Sequence, residues 1–279
     1  MDLTSVTSFR SARRREDLAL AAGETLLGGG TWLYGEPQPR ITGLVDLTTM
    51  GWEDLVVTPE GLQIGATCTI ATLVAFAQGR HHVTPPAEWA ATAAFPDAAN
   101  ALLASFKIWN TATVGGNICR SFAAGAMVSL AAGLDATALI WSPDGGERRA
   151  LVADLVTGNG ENDLAPGEVL RRIDVPAATL RGRLVLHKIA LAELGRSGAV
   201  ATGRLDADGG TVFGITAATQ RPTVFRYRGI PSAQELADDI AAASGYYTDA
   251  LGSADWRRGV AIVLAERARR ELADGEVRA

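Results

Sequence analysis

Two glycine clusters set the terms on which this chain can fold. Gly28-Gly29-Gly30 follows the short apolar pair Leu26-Leu27, and Thr113-Val114-Gly115-Gly116-Asn117 comes about 85 residues later. Adjacent glycines carry no Cβ to block close approach or to resist positive φ, so each cluster marks a tight turn whose N–H groups can converge on an anion. Thr31 and Thr113 each add a hydroxyl, and Asn117 adds an amide able to bond a phosphate or a sugar hydroxyl. A diphosphate carries two negative charges and many acceptor oxygens, and two such turns on separate subdomains would hold it in the cleft between them. Two unrelated β-turns account for the same residues, and these residues alone leave both readings open. A G-x-G-x-x-G fingerprint would need glycine at 33, where Leu33 stands, which disfavours a nicotinamide Rossmann site.

With 279 residues and 47% apolar content, the chain can bury a substantial core in one large domain or two to three smaller ones. No apolar run approaches the roughly 18 residues needed to span a bilayer. Arg13-Arg14-Arg15 leads into Glu16 and Asp17 rather than a signal-type apolar segment, and reads as a solvated helix start. A formal charge of -5, with aromatics not interleaved with Lys and Arg, argues against a nucleic-acid partner. Cys68 and Cys119 are the only cysteines, too few for the four thiolates of an iron–sulfur cluster, and they fit a reducing, cytoplasmic setting. Cys68 reads as a buried strand residue and Cys119 as a small packing residue. His81 and His82 fall in a proline-flanked loop and His187 in a strand, without the spacing of a helical metal site, so no metal is expected. No Ser-His-Asp or Cys-His constellation stands out, and the residues assign no catalytic group.

Along the chain, Ser11 reads as a helix cap before an amphipathic run through Leu18 and Leu20, and Leu26-Leu27 and Leu44–Leu47 as short strands. Leu55–Val57 and Leu62–Ala66 predict a hairpin turning at Pro59-Glu60-Gly61, and Thr69 or Thr67 can cap a helix from about Ala71 to Gln78. The alanine-rich stretch from Pro86 to Phe106 is helical in composition, with a break expected at Phe95-Pro96. A helix near Ala126–Leu134, a strand at Ala136–Trp141 and a strand at Val169–Val175 follow. After Pro176, Leu184–Leu191, Gly198–Leu205 and Thr211–Thr219 predict three strands, and the tail is helical with one apolar face. The expected domains are 1–53, 54–176 and 177–279.

Gly-Gly-Gly-Thr-Trp-Leu at 28–33 resembles the A-G-G-T-x-L turn, and Thr-Val-Gly-Gly-Asn-Ile at 113–118 the T-I/V-G-G-N-I turn, of FAD subunits of molybdenum hydroxylases, the xanthine and carbon monoxide dehydrogenase family. The similarity extends to Glu168–Ile173 before Pro176, to His187-Lys188, and to a closing Asp255-Trp256-Arg257-Arg258 helix like the family's Y-R-R helix. The resemblance implies an α+β, PCMH-type FAD-binding fold, with two N-terminal α/β subdomains around the cofactor and a C-terminal three-stranded antiparallel sheet with helices. It assigns the FAD diphosphate to Leu26, Leu27, Gly28, Gly29, Gly30, Thr31, Trp32 and Leu33, and to Thr113, Val114, Gly115, Gly116 and Asn117. By the same transfer, Leu103 and Leu170 line the flavin or adenine and Lys188 contacts the cofactor. The chain departs from the family at Trp32, where aspartate or serine is common, and at Trp109, where arginine is. Cys119–Ala126 replaces a segment of the type A-N-A-S-P-A-A-D, which puts Ala126 at its aspartate position.

The resemblance implies an FAD-binding subunit that relays electrons from iron–sulfur clusters of a molybdenum hydroxylase-type complex to an acceptor. Its expected partners are iron–sulfur and molybdopterin subunits. The alternative is a free-standing FAD enzyme of the same fold, redox or non-redox, with the altered Phe122–Ala126 segment as its supporting feature.

Overall fold

The computed structural model describes residues 3–101, 106–192 and 195–275. The strands β1 (Ser8–Ser11), β2 (Glu24–Leu27) and β3 (Gly43–Asp46) form a parallel sheet in the order β1-β3-β2. Ser11 therefore ends a strand and does not cap a helix. The expected helix contracts to a 3-10 turn, Arg15–Leu18, because the Asp17 carboxylate turns back to accept from the N–H groups of Arg13 and Arg14 at 2.8 and 2.9 Å.

The second sheet opens with the expected hairpin, β4 (Leu55–Thr58) and β5 (Gly61–Gly65). Thr69 caps α1 (Ile70–Ala77), its hydroxyl accepting from Thr72 N at 3.1 Å. A 3-10 turn, Ala90–Ala94, leads into α2 (Phe95–Asn100), so Pro96 opens a helix instead of breaking one. In a first turn its missing N–H costs nothing, since that group would lack an intrahelical partner anyway. The helices α3 (Phe106–Trp109), α4 (Val114–Arg120) and α5 (Ala126–Gly133) follow, and every residue of α5 is buried. Then come β6 (Thr137–Trp141), β7 (Glu147–Leu151), α6 (Val152–Leu155), the small pair β8 (Val156–Gly158) and β9 (Glu161–Asn162), β10 (Val169–Pro176) and α7 (Ala177–Arg181). The sheet runs β4-β5-β10-β6-β7, with every neighbouring pair antiparallel.

The C-terminal sheet is a meander of β11 (Arg183–Ala190), β12 (Ser197–Leu205), β13 (Thr211–Thr216) and β14 (Thr223–Tyr227), backed by α8 (Ala233–Ala242) and α9 (Ala254–Ala273). It has one strand more than expected. β14 is a half-buried edge with no fully buried residue, so it lacks the apolar alternation by which a strand is recognised. His187 lies in β11, as expected, with Nε2 2.9 Å from the Glu271 carboxylate of α9. One core runs through α1, α2, α4, α5 and the five-stranded sheet and takes in Leu184, Leu186 and Val200 of the C-terminal sheet. No helix among the described residues is long and apolar enough to cross a membrane.

Candidate functional site

The chain leaves β2 at Leu27 and enters the first glycine turn, where each glycine answers a different demand. At Gly30 φ is +69°, a conformation costly for residues with a side chain, and a Cβ there would meet the Tyr34 ring at 2.5 Å. At Gly29 a Cβ would stand 1.7 Å from the carbonyl oxygen of Thr111, and at Gly28 3.0 Å from Thr113 Oγ1. The first turn is thus pressed directly onto the backbone that leads into the second.

The second motif is the start of α4 with Thr113 as its N-cap, so Gly115 and Gly116 are right-handed and positive φ is not what they supply. They supply space: a Cβ at Gly115 would sit 2.6 Å from Ala66, and one at Gly116 2.7 Å from Thr113 Oγ1.

The two turns differ in the donors they leave available. In the second, Val114 N donates to Cys68 O, Gly115 N to Ala66 O, Asn117 N to Thr113 O and Gly116 N to Thr113 Oγ1, at 2.8 to 3.1 Å. Its backbone donors are spent on the fold. In the first, none of the N–H groups from Gly28 to Leu33 donates to another described residue, which leaves a row of backbone donors beside a cavity. The second motif contributes side chains instead. Thr113 accepts with its oxygen and keeps its O–H to give. Asn117 Oδ1 accepts from Met127 N at 2.9 Å, which fixes the amide orientation and leaves its NH2 as a donor.

Both motifs open on one cavity of about 670 Å³. Leu26 to Leu33 all line it, as do Thr113, Gly116 and Asn117. Val114 and Gly115 are buried behind the wall and hold it in place. Leu170 lies in the core opposite Ile140, not on the wall. Lys188 is not among the lining residues either, and its ammonium donates to Asn100 O at 2.7 Å. Leu103 lies outside the described residues. Trp109 packs against the core off the wall, its buried Nε1 without an acceptor among the described residues. Ala126 is core as well.

Sequence reading missed several lining residues, among them Ile108, Arg196 and above all Arg120. Four residues after Gly116 on α4, Arg120 shares its helix face, so i to i+4 spacing carried a signal. Arg196 comes from the β11–β12 connection and had no local signal. The Arg120 guanidinium lies 3.9 Å from the Trp32 ring centre and 4.2 Å from that of Phe122. Burial pulls its pKa down. Cys119 also lines the cavity, but burial pushes its thiol up to about 12, which makes it a poor nucleophile. Cys68 is buried in the turn between β5 and α1, not in a strand, and burial raises its thiol too.

A dinucleotide diphosphate fits this wall: open backbone donors where a Cβ is forbidden, a hydroxyl, an amide and two arginines, with apolar surface around them. Residues 9–178 match the sequence profile of the family described as FAD binding domain in molybdopterin dehydrogenase. No curated protein matches the chain. Among solved structures, it is similar to a chain of quinoline 2-oxidoreductase from Pseudomonas putida 86, with 21% identity over 99% of both chains and a TM-score of 0.82. It is also similar to a chain of carbon monoxide dehydrogenase from Hydrogenophaga pseudoflava, with 20% identity over 96% of this chain and 98% of that one and a TM-score of 0.78. A chain of reconstituted CO dehydrogenase from Oligotropha carboxidovorans gives 20% identity over 94% and 97%, with a TM-score of 0.78. At these identities the likeness is one of fold.

Proposed function

Because the chain belongs to the family of FAD binding domains in molybdopterin dehydrogenases, we propose that it is the flavin-bearing relay of a multi-subunit oxidoreductase, passing electrons from iron–sulfur clusters on another chain to an acceptor. The observation that carries this reading is the row of N–H groups from Gly28 to Leu33, none donating to another described residue, in a segment that lines a cavity of dinucleotide size. These donors hold the diphosphate, and the Thr113 hydroxyl and Asn117 amide hold neighbouring phosphate or ribityl oxygens. Leu26, Leu27, Ile108 and Ala112 exclude water around the ligand. Gly115 and Val114 act by keeping α4 against Ala66 and Cys68. When bound, FAD supplies the exchange between single-electron and paired-electron traffic.

The partners follow from what this chain lacks in sequence. Two cysteines cannot ligate a four-thiolate cluster, so the electrons arrive from an iron–sulfur chain, itself supplied by a molybdopterin chain that oxidises the substrate. The name of the similar carbon monoxide dehydrogenase from Hydrogenophaga pseudoflava speaks of a Mo-pyranopterin moiety, which supports a molybdopterin partner. The units 1–53 and 54–176 form the cofactor cleft, and 177–279 braces it. A cytoplasmic setting agrees with two free thiols.

The test is purification from the native host, with identification of bound cofactors and co-purifying chains. We expect FAD on this chain and iron–sulfur and molybdopterin subunits beside it. The isolated chain should be nearly inactive towards organic substrates yet accept electrons from artificial donors. Turnover of a small organic molecule by the isolated chain at about 1 per second or faster, without metal, would overturn the relay reading in favour of a free-standing flavoenzyme.

A further inference from the structure

Among the described residues of the cavity wall, Arg120 is the one with a buried side-chain polar atom that no hydrogen-bond partner satisfies. Its guanidinium packs on Trp32 and Phe122, which strips water from it, while its buried Nε finds no acceptor among the described residues. No carboxylate of the described residues pairs with it, and no nearby acid offsets its burial. A half-buried arginine in that state is costly unless an anion completes it, and a guanidinium offers five donors in a planar fork suited to phosphate oxygens. The Trp32 ring beneath it belongs to the same turn whose N–H groups are open, so the cation is tethered to one end of that donor row. Arg196, 5.6 Å from the Phe122 ring, is the second cation among the described residues of the wall, and the one acid among them is the exposed Glu36. Two arginines thus face a site read as taking a ligand of two negative charges.

We propose that Arg120, braced by Trp32 and Phe122, is the side-chain cation that holds the cofactor diphosphate and selects FAD over flavins without it. The inference rests on the reading of Gly28–Leu33 as the diphosphate cradle. A backbone N–H row recognises oxygen atoms but brings no full charge. Arg120 adds that charge at a point where aromatic rings hold the fork still and shield part of it from bulk water.

The experiment is titration of the full-length apoprotein with FAD, FMN and riboflavin, followed by flavin fluorescence, for the wild type, Arg120→Gln and Arg120→Lys. Arg120→Gln should weaken FAD about 10- to 100-fold, a range set by charge-assisted hydrogen bonds, while riboflavin changes by about twofold at most. Arg120→Lys should recover part of the loss, and raised salt should weaken wild-type binding of FAD more than that of riboflavin. Unchanged FAD affinity in folded Arg120→Gln would overturn the proposal and leave the guanidinium to some other anion. An equal loss for riboflavin would overturn it as well, since packing alone would then be the role. Should the variants not fold, phenylglyoxal modification of wild-type Arg120 decides, with ADP expected to protect and adenosine not, and equal labelling with and without ADP counting against the proposal. A wild-type chain that binds neither FAD nor ADP would remove the cradle itself, a result distinct from normal FAD affinity in the variant.

Discussion

At Gly29 the absence of one carbon atom is what lets two segments meet. A Cβ there would overlap the Thr111 carbonyl at 1.7 Å, and backbone cannot step aside as a side chain can. Gly29→Ala should cost roughly 1–3 kcal/mol, as overpacking does, and should empty the protein of flavin; urea unfolding and FAD released on denaturation measure the two effects. Gly116→Ala makes a useful contrast. Its Cβ would meet only the Thr113 hydroxyl, so loss of that cap, about 1 kcal/mol, is offset by the gain of about 1 kcal/mol for alanine over glycine in a helix. Stability should then stay nearly constant while flavin content falls, because the Thr113 hydroxyl has been turned. Cys119 gives a third check. With its thiol pushed up to about 12 by burial, it should alkylate far more slowly at pH 8 in the folded protein than after unfolding, by mass spectrometry of iodoacetamide adducts.

Among the elements, α5 shows how a departure from the family pattern is absorbed. Ala126 opens this helix and is 1% exposed in the core, while the neighbouring Gly125 and Ala124 reach the cavity. Ala126→Asp, the common family residue, should therefore destabilise by about 1–3 kcal/mol as an unpaired buried polar group, with flavin spectra changed only secondarily. A thermal melt alongside a visible spectrum separates the two. In the first sheet, Arg10 of β1 reaches past β3 to Glu24 of β2, with Nε and Nη2 donating at 2.9 and 2.8 Å, and Gly43 lies beneath because a Cβ would stand 2.9 Å from Glu24 Cγ. The Arg10 guanidinium, helped by Ala21 N, holds the Glu24 carboxyl down at about 2. A lowered folded value means this pair contributes in full above the ordinary glutamate range and loses its contribution as pH falls towards 2. In Glu24→Gln that acid-side decline should be shallower than in wild type, as read from urea midpoints between pH 5 and pH 2, on the order of the linkage range.

Across the whole molecule, the cleft-forming part and the C-terminal sheet are joined by a buried arginine. Arg204 of β12 is 2% exposed, donating to Gly133 O at the end of α5 at 2.6 Å and to Asp135 and Asp206 at 2.7 Å, while Arg226 of β14 also reaches Asp135. Ser129 and Thr216 share a hydrogen bond of 2.5 Å across the same junction. Removing one member of such a network strands the others, so Arg204→Leu should cost roughly 3–5 kcal/mol. If the sheet braces the cleft, flavin release and sheet unfolding should coincide in one denaturant transition in wild type and separate in this variant, with fluorescence and circular dichroism as the two probes.

The local chemistry was legible without any structure. A threonine, Thr67 or Thr69, before an apolar run, Pro59-Glu60-Gly61 between two apolar pairs, and glycines after Leu26-Leu27 each point to a cap, a turn or a close approach through atoms a few residues apart, and the structure carries all three, with Thr69 as the cap. Arg120 was legible in principle from its spacing to Gly116 along one helix. Other features had no local cause to read. Ser11 became a strand because Asp46 pairs with it, and β14 joined a sheet because β13 offered an edge. The second glycine motif spent its N–H groups on Ala66 and Cys68, and Arg196 reached the cavity from the far side of the fold. Which residues can make a phosphate cradle is written in the amino-acid order, since that depends on side chains present or missing. Which donors remain open depends on the packed fold, because a hydrogen bond given to a distant carbonyl is no longer there for a ligand.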